Sequence, residues 1–552
     1  MGGGGKDAGG VANGHAHAAG AKRRAGGAHA REGAALDPAA KRSKTEAVSA
    51  ERIPYFTALA TFFSYGQLLV YGYVWDTLMY TVMGRKRDSS HQEGYAPLTR
   101  GFEDFYTRNL YHRIQDCWNR PICSAPGSWF EVVEREEPAV AGKRSWPPDL
   151  RPTGRNIHAL NLGSYNYLGF AAEDEYCTPR VVGTLEARGA ATCAPRAGGG
   201  TTSDHIELEK LIASYLGKEA AVTLGMGFAT NSLIIPALVS KGCLVVSDSL
   251  NHNSIVKGCS GSGAKVVVFR HNEPDHLDRV LHRYIAEGQP RTGRPWKKVL
   301  VIVEGIYSME GEVCKLAEIV AVKKKYRAYL YLDEAHSIGA VGPTGRGVAE
   351  LCGVDTADID IMMGTFTKSF GSCGGYIASS RAVVNHLRAH SPAHLYATAM
   401  SPPCVRQCIA SLQVIMGEDG STRGADKLKA IRDGANFLRK ELTDHGCIVL
   451  GDEDSPVLPV MLFNPGKIPA FSRECLKRGV AVVVVGFPAC PLLLSRVRLC
   501  VSAAHTRKDL EHAAAVLKEV ADLVGVRYGA TDQAKLLEAG ETVPLEDHAK
   551  AQ

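Results

Sequence analysis

A zinc-ligand spacing and a disulfide framework are both missing from this chain. Its fifteen cysteines are scattered without a CxxC pair, and the nearest approach, Cys404 and Cys408, leaves three residues between them. Structural zinc and a stapled secreted scaffold therefore find no support, and buried or idle thiols in a reducing, cytosol-facing compartment fit better. Charge of one sign is scarce as well. The formal net charge is +6, but residues 1–50 hold eight Lys/Arg against four Asp/Glu, which leaves +2 for the other 502 residues. No basic stripe interleaved with aromatics is present, so a nucleic-acid partner is not indicated. Neither GxGxxG nor GxxxxGK[ST] occurs at a phosphate-binding position. What the chain does have is length and an ordinary composition, 552 residues with 45% apolar and 22% charged. That is enough for two or three domains, or for one large α/β unit with additions.

Residues 1–50 contain 26 Gly or Ala and no apolar periodicity, which predicts a disordered tail. An organelle transit peptide and a myristoylation start are the rivals; the segment is Ser-poor, and its sixth residue is Lys6 rather than Ser or Thr. From Tyr55 to Trp75, twenty-one residues pass without a charge. As a helix they would reach roughly 30 Å, enough for a bilayer. Thr57, Thr61, Ser64 and Gln67 dilute this stretch, so a helix lying in the membrane interface competes with a span. We therefore expect a membrane-associated helix within 51–84, then a connector over 85–160.

Beyond the connector the pattern changes. Short β-branched runs at 220–224, 243–247, 265–269, 298–303, 328–332, 359–363 and 375–378 alternate with stretches long enough for crossover helices. This predicts an α/β fold, a mostly parallel seven-stranded sheet covered on both faces, over 161–395. Helix then strands then helix over 396–527 predicts a smaller α+β domain, and 528–552 a polar tail.

Ligands of parallel sheets sit beyond the carboxyl ends of strands, and four such ends hold chemistry. Gly225 to Asn231 is a glycine turn opening a helix whose N–H groups could cradle a phosphate, or a plain βα turn. His252 could lie flat against a ring or hydrogen-bond within a turn. Asp333 and His336, in DEAH, place a carboxylate and an imidazole just past a strand; the bland alternative is an N-cap with a structural histidine. Lys368, in GTFTKSFG, could be desolvated and held as a Schiff base, or be a surface lysine in a loop.

Taken in order, glycine turn, His, Asp-x-x-His and Thr-x-x-Lys resemble the pyridoxal-phosphate enzymes of fold type I. DEAHSIGAVGPTGRG followed by GTFTKSFGSCGGY resembles the α-oxoamine synthases, which join an amino acid to an acyl-CoA and release carbon dioxide. Within them the chain is most similar to the lysine-bearing long-chain-base subunits of serine palmitoyltransferases, of plant or green-algal type. The likeness runs from about Ile53 to about Gly525 and includes LNLGSYNYLGF, VEGIYSMEGE, HLYATAMSPP and VVVVGFPACPLLL. It departs in the glycine-rich APRAGGGTTSDH, with its run Gly198 to Gly200, and at Cys490, where a small hydroxyl residue is usual.

The resemblance implies pyridoxal 5'-phosphate as cofactor and a condensation of L-serine with palmitoyl-CoA to 3-ketosphinganine. It implies Lys368 as the attachment point and general base, Asp333 at the ring nitrogen, His336 at the ring 3-oxygen and His252 on the ring face. Gly227, Phe228 and Thr365 become phosphate contacts, and Arg498 the grip on the serine carboxylate. It further implies a related lysine-lacking subunit as heterodimer partner, and an endoplasmic reticulum membrane address with the catalytic domain facing the cytosol. A glycine- or alanine-using oxoamine synthase and a non-catalytic membrane scaffold are the alternatives.

Overall fold

The unbroken apolar character of the β-branched runs is accounted for by a sheet with two buried faces. The computed structural model describes residues 52–82, 101–137, 149–529 and 542–544, so the tail read over 1–50 and most of 528–552 lie outside them. The large sheet has seven strands: β1 (Ala220–Leu224), β2 (Leu244–Asp248), β3 (Lys265–Phe269), β4 (Val299–Glu304), β5 (Tyr329–Asp333), β6 (Ile361–Thr365) and β7 (Gly375–Ser379). All seven expected runs form strands, within two residues of their expected starts and ends. Their spatial order is β1-β7-β6-β5-β4-β2-β3. Pairings are parallel except at β7, which runs antiparallel to both β1 and β6. Val301, Val303, Leu330 and Leu332 face one core, and Leu300, Ile302 and Tyr331 the other. Helices cover both sides, so each successive strand residue is buried against a different layer.

The C-terminal part carries an antiparallel sheet of Val457–Phe463, Ser495–Cys500 and Val483–Val485. The helices Arg423–Asp444 and Arg507–Val524 pack against it through Leu438, Leu442, Leu510 and Leu517. Two segments from the connector stretch join this region. Trp129–Glu136 pairs antiparallel with Arg151–Asn161, and the latter pairs parallel with Val480–Ala481.

The expected N-terminal membrane helix needs correction in part. A helix does form, Tyr55–Asp76, but no helix among the described residues is long and apolar enough to cross a membrane. One side of it, with Ala58, Thr61 and Tyr65, is buried. Ser64 accepts from Asn464 at 2.7 Å, the Tyr65 hydroxyl donates to the Leu492 carbonyl at 3.0 Å, and Asp76 pairs with Arg108 at 2.7 Å. The polar residues that dilute the run are partly those that seat it on the protein.

The glycine-rich departure has a structural reason. A Cβ on Gly200 would lie 2.2 Å from the Ala194 carbonyl oxygen, and Gly199 has φ +100°, so the loop doubles back where only glycine fits. The fold carries Arg196 inward, 5% exposed, where it bonds the Thr223 carbonyl at 2.9 Å and Glu209 at 2.8 Å. Removing Glu209 leaves that guanidinium buried without its anion, a loss of about 3–5 kcal/mol. Glu209→Ala is therefore expected to lower the calorimetric unfolding temperature by several degrees, whereas an unchanged midpoint would show the pair to be dispensable.

Candidate active site

Strands β4 and β5 stop in register, with Glu304 opposite Asp333, and β6, whose Met363 lies opposite Asp333, runs on two residues to Thr365. Their carboxyl ends therefore deliver side chains into one cleft. Asp333, 3% exposed, accepts from the Ala335 N–H at 2.9 Å and from Asn231 Nδ2 at 2.7 Å. The same amide nitrogen donates to Ser254 at 2.9 Å, and Asn231 Oδ1 accepts from the Tyr331 hydroxyl at 2.7 Å. Ser254 in turn meets His252 Nδ1 at 2.7 Å. The glycine turn, the histidine and the aspartate are thus one hydrogen-bonded unit, not three separate features.

His252 caps the helix Asn253–Gly261, and its ring is exposed on the cleft, with Phe228 edge-on at 6.1 Å. His336 is buried, with Nδ1 2.8 Å from the Tyr167 hydroxyl and the Tyr165 ring 5.0 Å away edge-on. Burial, with Lys368 and Arg498 adding to it, holds His336 well below the usual histidine range, so the imidazole is neutral. In the tautomer where the Tyr167 hydroxyl donates to Nδ1, the ring proton is on Nε2 and is available to a ligand oxygen.

Lys368 follows β6 by three residues and stands at the centre of the cleft, its Nζ 5.6 Å from the Tyr165 ring centre. Burial draws its ammonium down to about 8, against the opposing pull of Asp333 and Glu304 and with Arg498 adding to the fall. The Arg498 guanidinium lies 4.5 Å from the centre of the same ring. It is 6% exposed; Nη1 reaches Met309 Sδ at 3.6 Å, while Nε has no hydrogen-bond partner among the described residues. A buried guanidinium with a spare donor is matched by a carboxylate.

At the other end of the cleft Thr365 Oγ1 pairs with Thr367 Oγ1 at 2.8 Å and donates to the Gly374 carbonyl at 3.0 Å. A Cβ at Gly227 would sit 2.7 Å from that hydroxyl, so glycine lets the uncapped helix start Gly227–Ser232 close onto Thr365. Main-chain N–H groups and hydroxyls suited to a phosphate are therefore at one end. A buried carboxylate suited to a protonated ring nitrogen, a neutral imidazole suited to a ring oxygen and an amine suited to an aldehyde occupy the middle. This donor set fits pyridoxal phosphate.

The structure brings together all eight residues singled out from sequence: Gly227, Phe228, His252, Asp333, His336, Thr365, Lys368 and Arg498. Cys490 is apart from them, buried among Tyr65, Arg496 and Glu310, where burial pushes its thiol up to about 11. Glu334, next to Asp333, faces away and accepts from Ser337 and from the Val348 N–H. Sequence reasoning missed Asn231, Glu304, Tyr165 and Tyr167 as site residues. Each lies inside a stretch already noted, but its partner is 70 or more residues away, or on another element, and no local pattern marks it.

A family model for aminotransferase class I and II matches residues 157–517. The chain is 61% identical to long chain base biosynthesis protein 2d of Oryza sativa subsp. japonica, over 88% of this chain and 97% of that protein. It is 57% identical to long chain base biosynthesis protein 2a of Arabidopsis thaliana, over 90% and 99%. Among solved structures, a serine palmitoyltransferase from S. paucimobilis with bound PLP and myriocin shares 28% identity at a TM-score of 0.64, covering 74% of this chain and 93% of that one.

The lowered Lys368 value gives a direct test. Its folded-state value of about 8 lies below the ordinary 10.5, so the free amine becomes available well before that of a surface lysine. Labelling of Lys368 in cofactor-free protein by an amine-reactive reagent, followed by peptide mass spectrometry, is expected to rise with a midpoint near pH 8. A midpoint above 10 would contradict the desolvated setting.

Proposed function

The chain belongs to the class I and II aminotransferase family and, within it, to the long chain base biosynthesis 2 proteins, and we propose that it joins L-serine to palmitoyl-CoA. Coenzyme A and carbon dioxide leave, and the product is 3-ketosphinganine, the first intermediate of sphingolipid long-chain-base synthesis. The chain is a pyridoxal-phosphate enzyme. The observation that carries the reading is the meeting at the Tyr165 ring of Lys368, its amine drawn down to about 8, with a buried arginine holding a spare donor.

Lys368, Asp333, His336, His252, Thr365 and the N–H groups of Gly227 and Phe228 would hold the cofactor. When bound it supplies an electron sink for the amino-acid Cα. Arg498 receives the serine carboxylate as a two-pronged donor and orients the Cα hydrogen toward Lys368. Lys368 Nζ, poised near neutrality, takes that proton and returns it at the end. Asp333 keeps a proton on the ring nitrogen, and the neutral His336 donates to the ring oxygen. Tyr165, half-buried beside both cations, shields the reacting carbon from water.

Membrane association belongs to the same reading. Phe56, Phe62, Phe63, Val70, Tyr73 and Val74 leave the outer side of the helix Tyr55–Asp76 exposed, each more than half accessible. Such a stripe suits a helix lying in the interface, close to an acyl substrate and a lipid product. Around the cleft mouth Met226, Phe228 and Tyr396 are also exposed, Tyr396 at 79%. They suit cover by a related subunit that lacks the lysine, with HLYATAMSPP near the shared surface. An endoplasmic reticulum address with the catalytic part in the cytosol accompanies the family reading.

Two experiments test these points. Co-expressed with its partner subunit and given labelled serine and palmitoyl-CoA, the protein is expected to yield 3-ketosphinganine by mass spectrometry, and Lys368→Ala to fall below roughly a hundredth of that yield. Product from glycine in preference to serine, or an active Lys368→Ala, would sink the assignment. Replacing Phe62 and Phe63 by Ser is expected to weaken co-sedimentation with liposomes about tenfold, and unaltered binding would place the lipid contact elsewhere.

A further inference from the structure

Glu304 ends β4 beside Asp333, 4% exposed, yet nothing in its sequence setting marks it for the chemistry. Its side chain accepts the main-chain N–H of His252, and its own N–H reaches the Tyr307 hydroxyl at 3.3 Å. His252 is thereby held from two directions. Ser254 and Asn231 tie its ring to Asp333, and Glu304 ties its backbone to the end of the neighbouring strand. Either tie alone leaves freedom: a ring hydrogen-bonded through Nδ1 can still tilt if the turn that carries it shifts. Resting on the cofactor assignment above, we propose that Glu304 is a positioning residue, whose carboxyl group fixes the main chain of His252 and so sets the imidazole against the face of the bound cofactor ring.

The charge state agrees with this geometry. Burial, with the Asp333 carboxylate adding to it, pushes the Glu304 carboxyl well above the usual carboxylate range, while the His252 N–H and Lys368 act against it. What the His252 N–H needs from the group is an acceptor oxygen at that reach, which the side chain offers whether or not it carries a proton. Glutamine supplies the same acceptor, alanine supplies none, and aspartate keeps the carboxyl but falls one methylene short.

The full-length protein is reconstituted with pyridoxal phosphate, and its dissociation constant and visible circular dichroism are measured for wild type, Glu304→Gln, Glu304→Ala and Glu304→Asp. The dichroism reports how the cofactor is held, which loss of stability in a still-folded protein does not move. Glu304→Gln is expected within about twofold of wild type, and Glu304→Ala and Glu304→Asp are expected to bind about tenfold more weakly with the dichroic band at least halved. Where the alanine variant fails to fold, the contrast between Gln and Asp decides. Wild-type binding and dichroism in the Ala or Asp variant would overturn the proposal, as would a Gln variant as impaired as Asp. No visible band in the wild-type protein would instead overturn the cofactor assignment.

Discussion

Asp333 sits at the end of a central strand with almost no exposure, and a buried carboxyl group is tolerated in such a place only if its oxygens accept hydrogen bonds. Asn231 and the Ala335 N–H meet them. That requirement propagates outward: the Asn231 amide must itself be satisfied, and Tyr331 and Ser254 do so. Ser254 then reaches His252, so the carboxyl group and the imidazole are fixed relative to each other. Lys368 and Arg498 enter the same cleft and share the Tyr165 ring. The anion steadies the amine, while the second cation keeps it from holding its proton too firmly.

The small sheet brings in more than Arg498. The strand Ser495–Cys500 that carries it follows directly on the segment 486–494, which packs against the N-terminal region through Tyr65 to Leu492 and through Tyr106 against the Phe487 ring at 5.1 Å. A helix whose outer side is apolar and exposed is therefore bonded on its inner side to the segment that leads into the Arg498 strand. Arg496, one strand position pair away, is bonded to the Met309 carbonyl at 2.7 Å, which locks the small sheet onto the turn after β4.

The parts that were legible in the sequence share a cause. Strands of a two-faced sheet are short continuous β-branched runs, and the residues just past them are of types whose chemistry is recognisable singly, as with Asp333, His336 and Lys368. Asn231 and Glu304 were not legible because their work is to satisfy another residue's polar group, and that need exists only after β1, β2, β4 and β5 have been laid side by side. The helix Tyr55–Asp76 was visible by its length without charge, but its posture was not. Ala58, Thr61 and Tyr65 become a packed side only in the presence of the surface they meet. Strand pairing between Leu160 and Val480 spans more than 300 residues, beyond the reach of any local pattern.

The reversed strand β7 governs when this molecule can become whole during synthesis. In the large sheet β1 is bonded to β7 alone, and β7 is translated 151 residues after β1 ends at Leu224, counting to Gly375. At ribosomal rates this leaves the apolar β1 edge unpaired for on the order of ten to thirty seconds. Thr365 and the Gly227 turn face each other only once β7 has been inserted between their strands, so that end of the cleft is the last part of the large sheet to be completed.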